Sequence, residues 1–272
     1  MGGTLTCRSP LREDRMCFDH DSRPPIRPIA GGAIDSREMT LTAGDGTQLT
    51  AFEARAARPS GSSIAILPDV RGLHEFYVEL ALRFAENGIE AVAIDWFGRT
   101  AGLGRRADDF DYKTHVADLT WPGVSADIAV GVQHARTLTT DLARPPQVFT
   151  IGFCFGGRAA FVSATLGLDL AGAIGLYGNP VGPGRASVPA PAEVATRVDC
   201  PILGLFGGAD ESIPGAAIGQ FEAALAEAGV DHRLKTYSGA PHSFFDRKAA
   251  EFGEASNDAW EEILAFIRAR TA

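Results

Sequence analysis

Short apolar runs alternate along this chain with longer stretches in which apolar positions recur at helical spacing. The short runs read as strands buried on both faces, and the longer stretches as amphipathic helices. Strands are expected over 63–67, 89–94, 147–151, 173–177, 202–206 and 233–237, and helices over 75–85, 121–140, 157–166, 215–228 and 251–270. The last of these carries Phe252, Trp260, Ile263, Leu264 and Ile267 on one face. Gly88 is placed to end the first helix. Alternation over 39–42 and 47–52, broken at Ala43-Gly44-Asp45-Gly46, predicts an antiparallel hairpin at the start of the sheet. Strands alternating with helices require crossover connections, so the expected fold is a single α/β domain over 39–272. It has a mainly parallel central sheet with helices on both faces. Residues 1–38, polar and rich in turn residues, read as an irregular arm.

Composition narrows the partners. With 45% hydrophobic and 22% charged residues in 272, the chain can bury one substantial core. A formal net charge of -9 argues against nucleic acid or an anionic membrane surface as a partner. No apolar run is long enough to span a bilayer and no secretory leader pattern opens the chain, so a cytoplasmic protein is expected. No coiled-coil pattern demands self-association, which leaves a monomer as the expectation with assembly open. The four cysteines make no close pair of the metal-binding kind, and Cys7, Cys17 and His20 are too widely spaced to suggest a centre. No nucleotide-binding signature is present, and His115 with Asp118 is not a convincing metal pair, so no metal or cofactor is expected.

The most specific chemistry lies at Gly152-Phe153-Cys154-Phe155-Gly156-Gly157, directly after a predicted strand and before a predicted helix. Small residues around Cys154 permit a sharp strand-to-helix turn that lifts the thiol above the sheet, beside backbone N–H groups at a helix start. Cys200, in contrast, reads as a small buried hydrophobe. His242, in the loop after 233–237, can take the thiol proton on one ring nitrogen and donate to a carboxylate from the other. Asp210, in Phe206-Gly207-Gly208-Ala209-Asp210-Glu211, is the favoured carboxylate, with Glu211 as its nearest rival and Asp199 and Asp231 suited to structural turns. Phe97, Phe110, Trp121 and Tyr177 suit either a pocket lining or the core.

GFCFGG at Cys154, FGGADESIP at Asp210 and GAPHSFF at His242 together resemble the dienelactone hydrolase family over roughly 40–270. That resemblance implies an α/β-hydrolase core with a cysteine, histidine and aspartate triad. It also implies an acidic residue beside the early oxyanion loop that helps activate the cysteine, which falls on Asp69 in LPDVRGL. Arginines around the pocket of family members suggest Arg105, Arg106 and Arg247 as substrate-binding candidates. The backbone N–H groups of Val70 and Phe155 are the oxyanion-hole candidates. The implied activity is hydrolysis of small lactones or carboxylic esters, dienelactone to maleylacetate among them. A broad carboxylesterase and a non-catalytic small-ligand-binding protein on the same fold are the alternatives.

Overall fold

Ile64, Ala65, Ile66 and Leu67 are without solvent exposure because their strand lies in the middle of a sheet covered on both faces. The computed structural model describes residues 23–107, 109–138 and 147–271. Its strands are β1 (Ala33–Thr42), β2 (Gln48–Ala56), β3 (Ser62–Leu67), β4 (Glu90–Ile94), β5 (Gln147–Phe153), β6 (Gly172–Leu176), β7 (Ile202–Gly207) and β8 (His232–Tyr237). They form one sheet in the order β1-β2-β4-β3-β5-β6-β7-β8. Pairing is antiparallel between β1 and β2 and between β2 and β4, and parallel everywhere else. This is the single, mainly parallel sheet that the alternating pattern implies.

The helices include α1 (Glu75–Glu86), α2 (Gly98–Ala101), α3 (Tyr112–Ala117), α4 (Trp121–Thr137), α5 (Phe155–Ser163), α6 (Gly215–Glu227) and α7 (Gly253–Thr271). Two glycines of β6 show how they divide between the faces. A Cβ on Gly172 would meet Phe266 of α7 at 2.6 Å, whereas one on Gly175 would meet Phe161 of α5 at 2.4 Å. Residues 172 and 175 point to opposite sides of a strand, so α5 and α7 cover opposite faces. Phe84 of α1 packs on Trp260 of α7, with ring centroids 4.9 Å apart, and Phe161 of α5 packs on Phe221 of α6 at 5.0 Å. Among the described residues no helix is long and apolar enough to cross a membrane.

Helix ends follow from local chemistry. Gly88, at φ +84°, closes α1 with paired bonds from its own N–H to Ala85 O (3.0 Å) and from Ile89 N–H to Phe84 O (3.0 Å). Gly229, at φ +69°, closes α6 in the same manner through Ala226 and Leu225. Both residues take a left-handed conformation that a side chain resists.

One boundary differs from expectation. β1 begins at Ala33, so residues 33–38, read from the sequence as the end of an irregular arm, belong to the sheet. Asp35, Ser36, Arg37 and Glu38 are exposed on this edge strand, which is why no alternation marked it. Cys7, Cys17 and His20 lie outside the described residues.

The register of the parallel strands matters most for function. Leu67 pairs with Gly152, Gly152 with Gly175, Leu176 with Leu205, and Gly207 with Tyr237. β3, β5, β6, β7 and β8 therefore end together, and the loops after them open along one edge, where α/β sheets hold their ligands.

Gly229→Ala, with nothing within 4 Å of the added Cβ, is expected to lower stability by about 1 kcal/mol through backbone strain alone. Gly152→Ala, whose Cβ would sit 1.9 Å from the Gly156 carbonyl oxygen, should cost at least about 3 kcal/mol because backbone has to move. Urea unfolding of both variants checks the contrast.

Candidate active site

Cys154 sits between the last residue of β5 and the first of α5 at φ 53° and ψ -110°. A non-glycine residue held there costs on the order of 1–3 kcal/mol, which its surroundings must supply. Its own N–H donates to Leu176 O at 3.0 Å, and Arg158 N–H to Cys154 O at 3.1 Å. Three glycines make the bend sterically possible. Besides the contact at Gly152, a Cβ on Gly156 would lie 2.2 Å from the carbonyl oxygens of Leu67 and Pro68, and one on Gly157 2.5 Å from Leu176 O. The outcome is a half-buried thiol at the mouth of the sheet. Cys200 is buried, and burial pushes its thiol up to about 12, so it stays an inert thiol.

The histidine and aspartate loops are laid side by side. Gly208 N–H donates to Tyr237 O at 2.8 Å and Ala209 N–H to Ala240 O at 2.9 Å. Only glycine fits at 207, where a Cβ would stand 2.4 Å from Ala240 O. This brings His242 Nδ1 to 2.6 Å from Asp210 Oδ2. Nδ1–H donates to the carboxylate, and Nε2 is left as the proton acceptor. Ser212 holds the other oxygen: its hydroxyl donates to Asp210 Oδ1 at 2.6 Å and its N–H at 2.9 Å. Burial by itself raises the Asp210 carboxyl, but the bond and charge of His242 with the Ser212 donors outweigh it and leave the group below its ordinary value.

His242 is tied to the elbow through Tyr177. The tyrosine ring lies 5.0 Å from the imidazole and 6.3 Å from Phe153, the neighbour of Cys154, and the residue before it accepts the Cys154 N–H. Asp210, His242 and Cys154 thus gather at the one edge where the parallel strands end. Asp231, just before β8, lies at the other end of the strand and pairs with Arg270 at 2.7 Å.

The loop after β3 forms the opposite wall. Gly72 N–H donates to Asp69 O (3.2 Å) in a tight turn at whose end Gly72 has φ +79°. Asp69 is fully buried: its Oδ1 accepts Arg71 N–H (2.9 Å), its N–H donates to the Tyr77 hydroxyl (2.8 Å), and Trp96 Nε1–H donates to its carbonyl (3.1 Å). His74 Nε2 lies 3.9 Å from Asp69 Oδ1, but burial, helped by Arg71, pulls the imidazole down to about 3; this is a neutral contact and not an ion pair. Among the described residues no backbone hydrogen bond outside the helices and strands is donated by Val70 or Phe155 N–H.

Two of the three arginines read as substrate-binding candidates are engaged elsewhere. Arg106 is buried against Asp95, with Nη2 2.7 Å from Oδ2 and Nε 3.2 Å from both carboxylate oxygens, and it donates to Gly102 O at 2.6 Å. Asp95 also accepts the N–H groups of Leu73 and Phe97, so the pair fastens the oxyanion loop to the segment after β4. Arg105 bridges Glu38 (3.1 Å) and Glu75 (3.0 Å) on the surface. Arg247, half-buried, makes no ion pair among the described residues. Of the aromatic candidates, Tyr177 belongs to the site. Phe97 and Phe110 pack instead around the Arg106 guanidinium at 5.8 and 5.0 Å, and His115 stacks on Phe110 at 5.0 Å.

Sequence reading missed Ser212 and Arg158. Ser212 had a local signal, a hydroxyl two residues after an aspartate, which suits a turn closed on the carboxylate. Arg158 had none: it donates to the carbonyls of Asn179, Val181, Gly182, Val188 and Pro189 at 2.6 to 3.2 Å, all far along the chain. Among the described residues no cluster of His, Cys, Asp and Glu could hold a metal ion.

Comparison with known proteins identifies the family and the fold. The model of the Dienelactone hydrolase family matches residues 50–271. A protein of Escherichia coli K12 named "Putative carboxymethylenebutenolidase" is 25% identical over 256 residues, covering 90% of this chain and 93% of its own. One of the same name from Synechocystis is 29% identical over 208 residues, covering 74% and 82%. The crystal structure of a protein from Klebsiella pneumoniae, named "Putative Dienelactone Hydrolase", superposes with a TM-score of 0.73 at 27% identity, over 86% of this chain and 98% of that one.

Asp210→Asn is expected to lower kcat by roughly 10^3–10^4-fold, because an amide no longer selects the tautomer that leaves Nε2 basic; steady-state hydrolysis of p-nitrophenyl acetate measures it. The lowered Asp210 carboxyl contributes stability above its unfolded value, and that contribution fades as pH falls through the folded one. The melting-temperature gap between wild type and Asp210→Asn should therefore be present at pH 5 and narrow below about pH 4.

Proposed function

This chain is a hydrolase that belongs to the dienelactone hydrolase family, and from that membership we propose that it opens small lactones or carboxylic esters through a covalent thioester on Cys154. The observation that carries the reading is the left-handed backbone of Cys154, held by glycines at a strand-to-helix bend. Packing alone does not ask for so strained a turn, whereas nucleophile presentation does.

In the proposed cycle His242 Nε2 takes the Cys154 proton and the thiolate attacks the substrate carbonyl carbon. Negative charge moves to the carbonyl oxygen, toward the N–H groups of Val70 and Phe155. Collapse of the tetrahedral species forms the thioester and expels the alkoxide, which takes the proton from His242; in a lactone the alkoxide remains attached as the far end of the same molecule. Water, deprotonated by His242, then attacks the thioester, and the carboxylic acid leaves as Cys154 regains its proton. Asp210 is the counter-charge for the imidazolium in both halves. Asp69 is the proposed activating carboxylate, placed at the base of the oxyanion loop. Each step uses side chains, backbone N–H groups and water.

Dienelactone, converted to maleylacetate, is the narrow substrate reading. Its carboxylate needs a cation, and of the three arginines considered only Arg247 is uncommitted. The occupation of Arg106 by Asp95 and of Arg105 by Glu38 and Glu75 favours a broader carboxylesterase as the second reading.

Mass analysis of the protein quenched during turnover of p-nitrophenyl acetate should find an acetyl group on Cys154, and Cys154→Ala should release no burst of p-nitrophenol. A folded protein that is never acylated at Cys154 across varied esters would favour a ligand-binding role on this fold. Side-by-side rates on dienelactone and on short p-nitrophenyl esters separate the two substrate readings: ester turnover without dienelactone turnover removes the narrow one.

A further inference from the structure

One buried carboxyl beside the site has no task in the proposed acyl-transfer steps. Asp246, four residues beyond His242 in sequence, is 3% exposed. Phe244 and Phe245, immediately before it, are fully buried, and Phe245 packs on Phe153 at 6.0 Å. A carboxyl in such surroundings is costly unless its bonds compensate, and an apolar residue would fill the space without that cost. The bonds it makes lead back to the site. The Tyr177 hydroxyl donates to Asp246 Oδ2 at 2.5 Å, and Arg247 N–H donates to Oδ1.

Tyr177 is itself held in an unusual state. It is fully buried at φ +40°, a conformation that a bulky residue keeps only when its neighbours impose it. Its ring meets the His242 imidazole at 57°, with centroids 5.0 Å apart, and is backed by Phe244 at 5.7 Å. The imidazole thus has a support at its edge, Asp210 on Nδ1, and another on its face, Tyr177, whose tilt is fixed by Asp246.

We propose that Asp246, acting through Tyr177, is a positioning residue that holds the His242 ring in the plane from which Nε2 serves Cys154. The inference rests on the hydrolase reading and deepens it. Hydrogen bonding at Nδ1 does not by itself fix rotation of the ring about the Nδ1···Oδ2 line, and an aromatic wall against its face restrains that rotation. Charge is not the agent. Burial pushes the Asp246 carboxyl well above the usual carboxylate range; the Tyr177 hydroxyl and Arg247 N–H oppose this, Asp69 across the site adds to it, and His242 on its own loop opposes it. Asp210 is the charged partner at Nδ1, and Asp246 acts on the ring through the Tyr177 hydroxyl. Asparagine, of the same shape, should therefore substitute for it, its amide oxygen accepting from the Tyr177 hydroxyl as Oδ2 does.

The test compares wild type, Tyr177→Phe, Asp246→Ala and Asp246→Asn for kcat, KM and the pH profile of kcat/KM on p-nitrophenyl acetate, with circular dichroism as the folding check. Tyr177→Phe and Asp246→Ala are expected to lower kcat by roughly 10- to 100-fold with little change in KM, as for a slightly misplaced base. The acidic limb of their profiles should move, and Asp246→Asn should recover most of the loss. Should Asp246→Ala fail to fold, Tyr177→Phe, which deletes one oxygen, carries the test. Wild-type kcat and pH profile in folded Tyr177→Phe would overturn the proposal, as would an Asp246→Asn variant as impaired as Asp246→Ala. Wild-type protein that never acylates Cys154 overturns the hydrolase reading, and this one with it; acylation by wild type with unaffected variants overturns this one alone.

Discussion

At the end of β5 the chain comes within contact of three other stretches of backbone. Gly152 faces the Gly156 carbonyl, Gly156 faces the carbonyls of Leu67 and Pro68, and Gly157 faces Leu176 O. No side chain fits at any of these points, so the absence of three Cβ atoms lets α5 begin one residue after the strand has passed. The strain at Cys154 is a consequence of that closeness, and so is the direction of the first turn of α5 toward the oxyanion loop. The candidate nucleophile, one N–H of the candidate oxyanion hole and the packing of α5 against β3 and β6 rest on this single constraint.

The other parts of the site are held by polar bonds. Asp95 sits fully buried with Arg106, a pair whose desolvation roughly offsets its attraction. Its effect is better described by what it joins: Leu73 and Phe97 N–H groups, Gly102 O and, through Gly72, the turn that carries Val70. Asp210 is treated differently, with donors on both oxygens and a half-buried imidazole as partner. A chain with net charge -9 carries several buried carboxyls here, and each has its own set of donors.

Much of this was legible in the residues because the strands are apolar on both faces and the glycines are punctuation with a steric meaning. The elbow around Cys154, the loops of Asp210 and His242 and the succession of strands and helices along the chain followed from local sequence and a family resemblance. What escaped depended on partners distant along the chain. Asp35, Ser36, Arg37 and Glu38 of β1 are exposed on a sheet edge, where polar residues carry no alternation. Arg106 looked like a free cation until Asp95, at the end of another strand, was brought beneath it. Ser212 was within reach of sequence reasoning, since its bond to Asp210 spans two residues.

Arg158 shows where such reading stops. A buried guanidinium ordinarily finds a carboxylate, yet this one is enclosed by five carbonyl oxygens from residues 179–189, and burial lowers its pKa with only the charge of Glu193 acting against that. The cage needs Gly184, whose Cβ would lie 2.6 Å from Nε, and is accompanied by left-handed Ala186 and Ser187. Five N–H donors in a rigid fork suit scattered carbonyls in a way that a lysine's single point of charge does not. The loop held in this way begins just after Tyr177 and reaches Ser212 through Asn179 Nδ2, at 3.4 Å from the Ser212 carbonyl. A residue on the first turn after the candidate nucleophile thereby orders the segment that links the histidine's aromatic wall to the brace of its aspartate. The elbow and the base are coupled through one side chain that touches neither Asp210 nor His242.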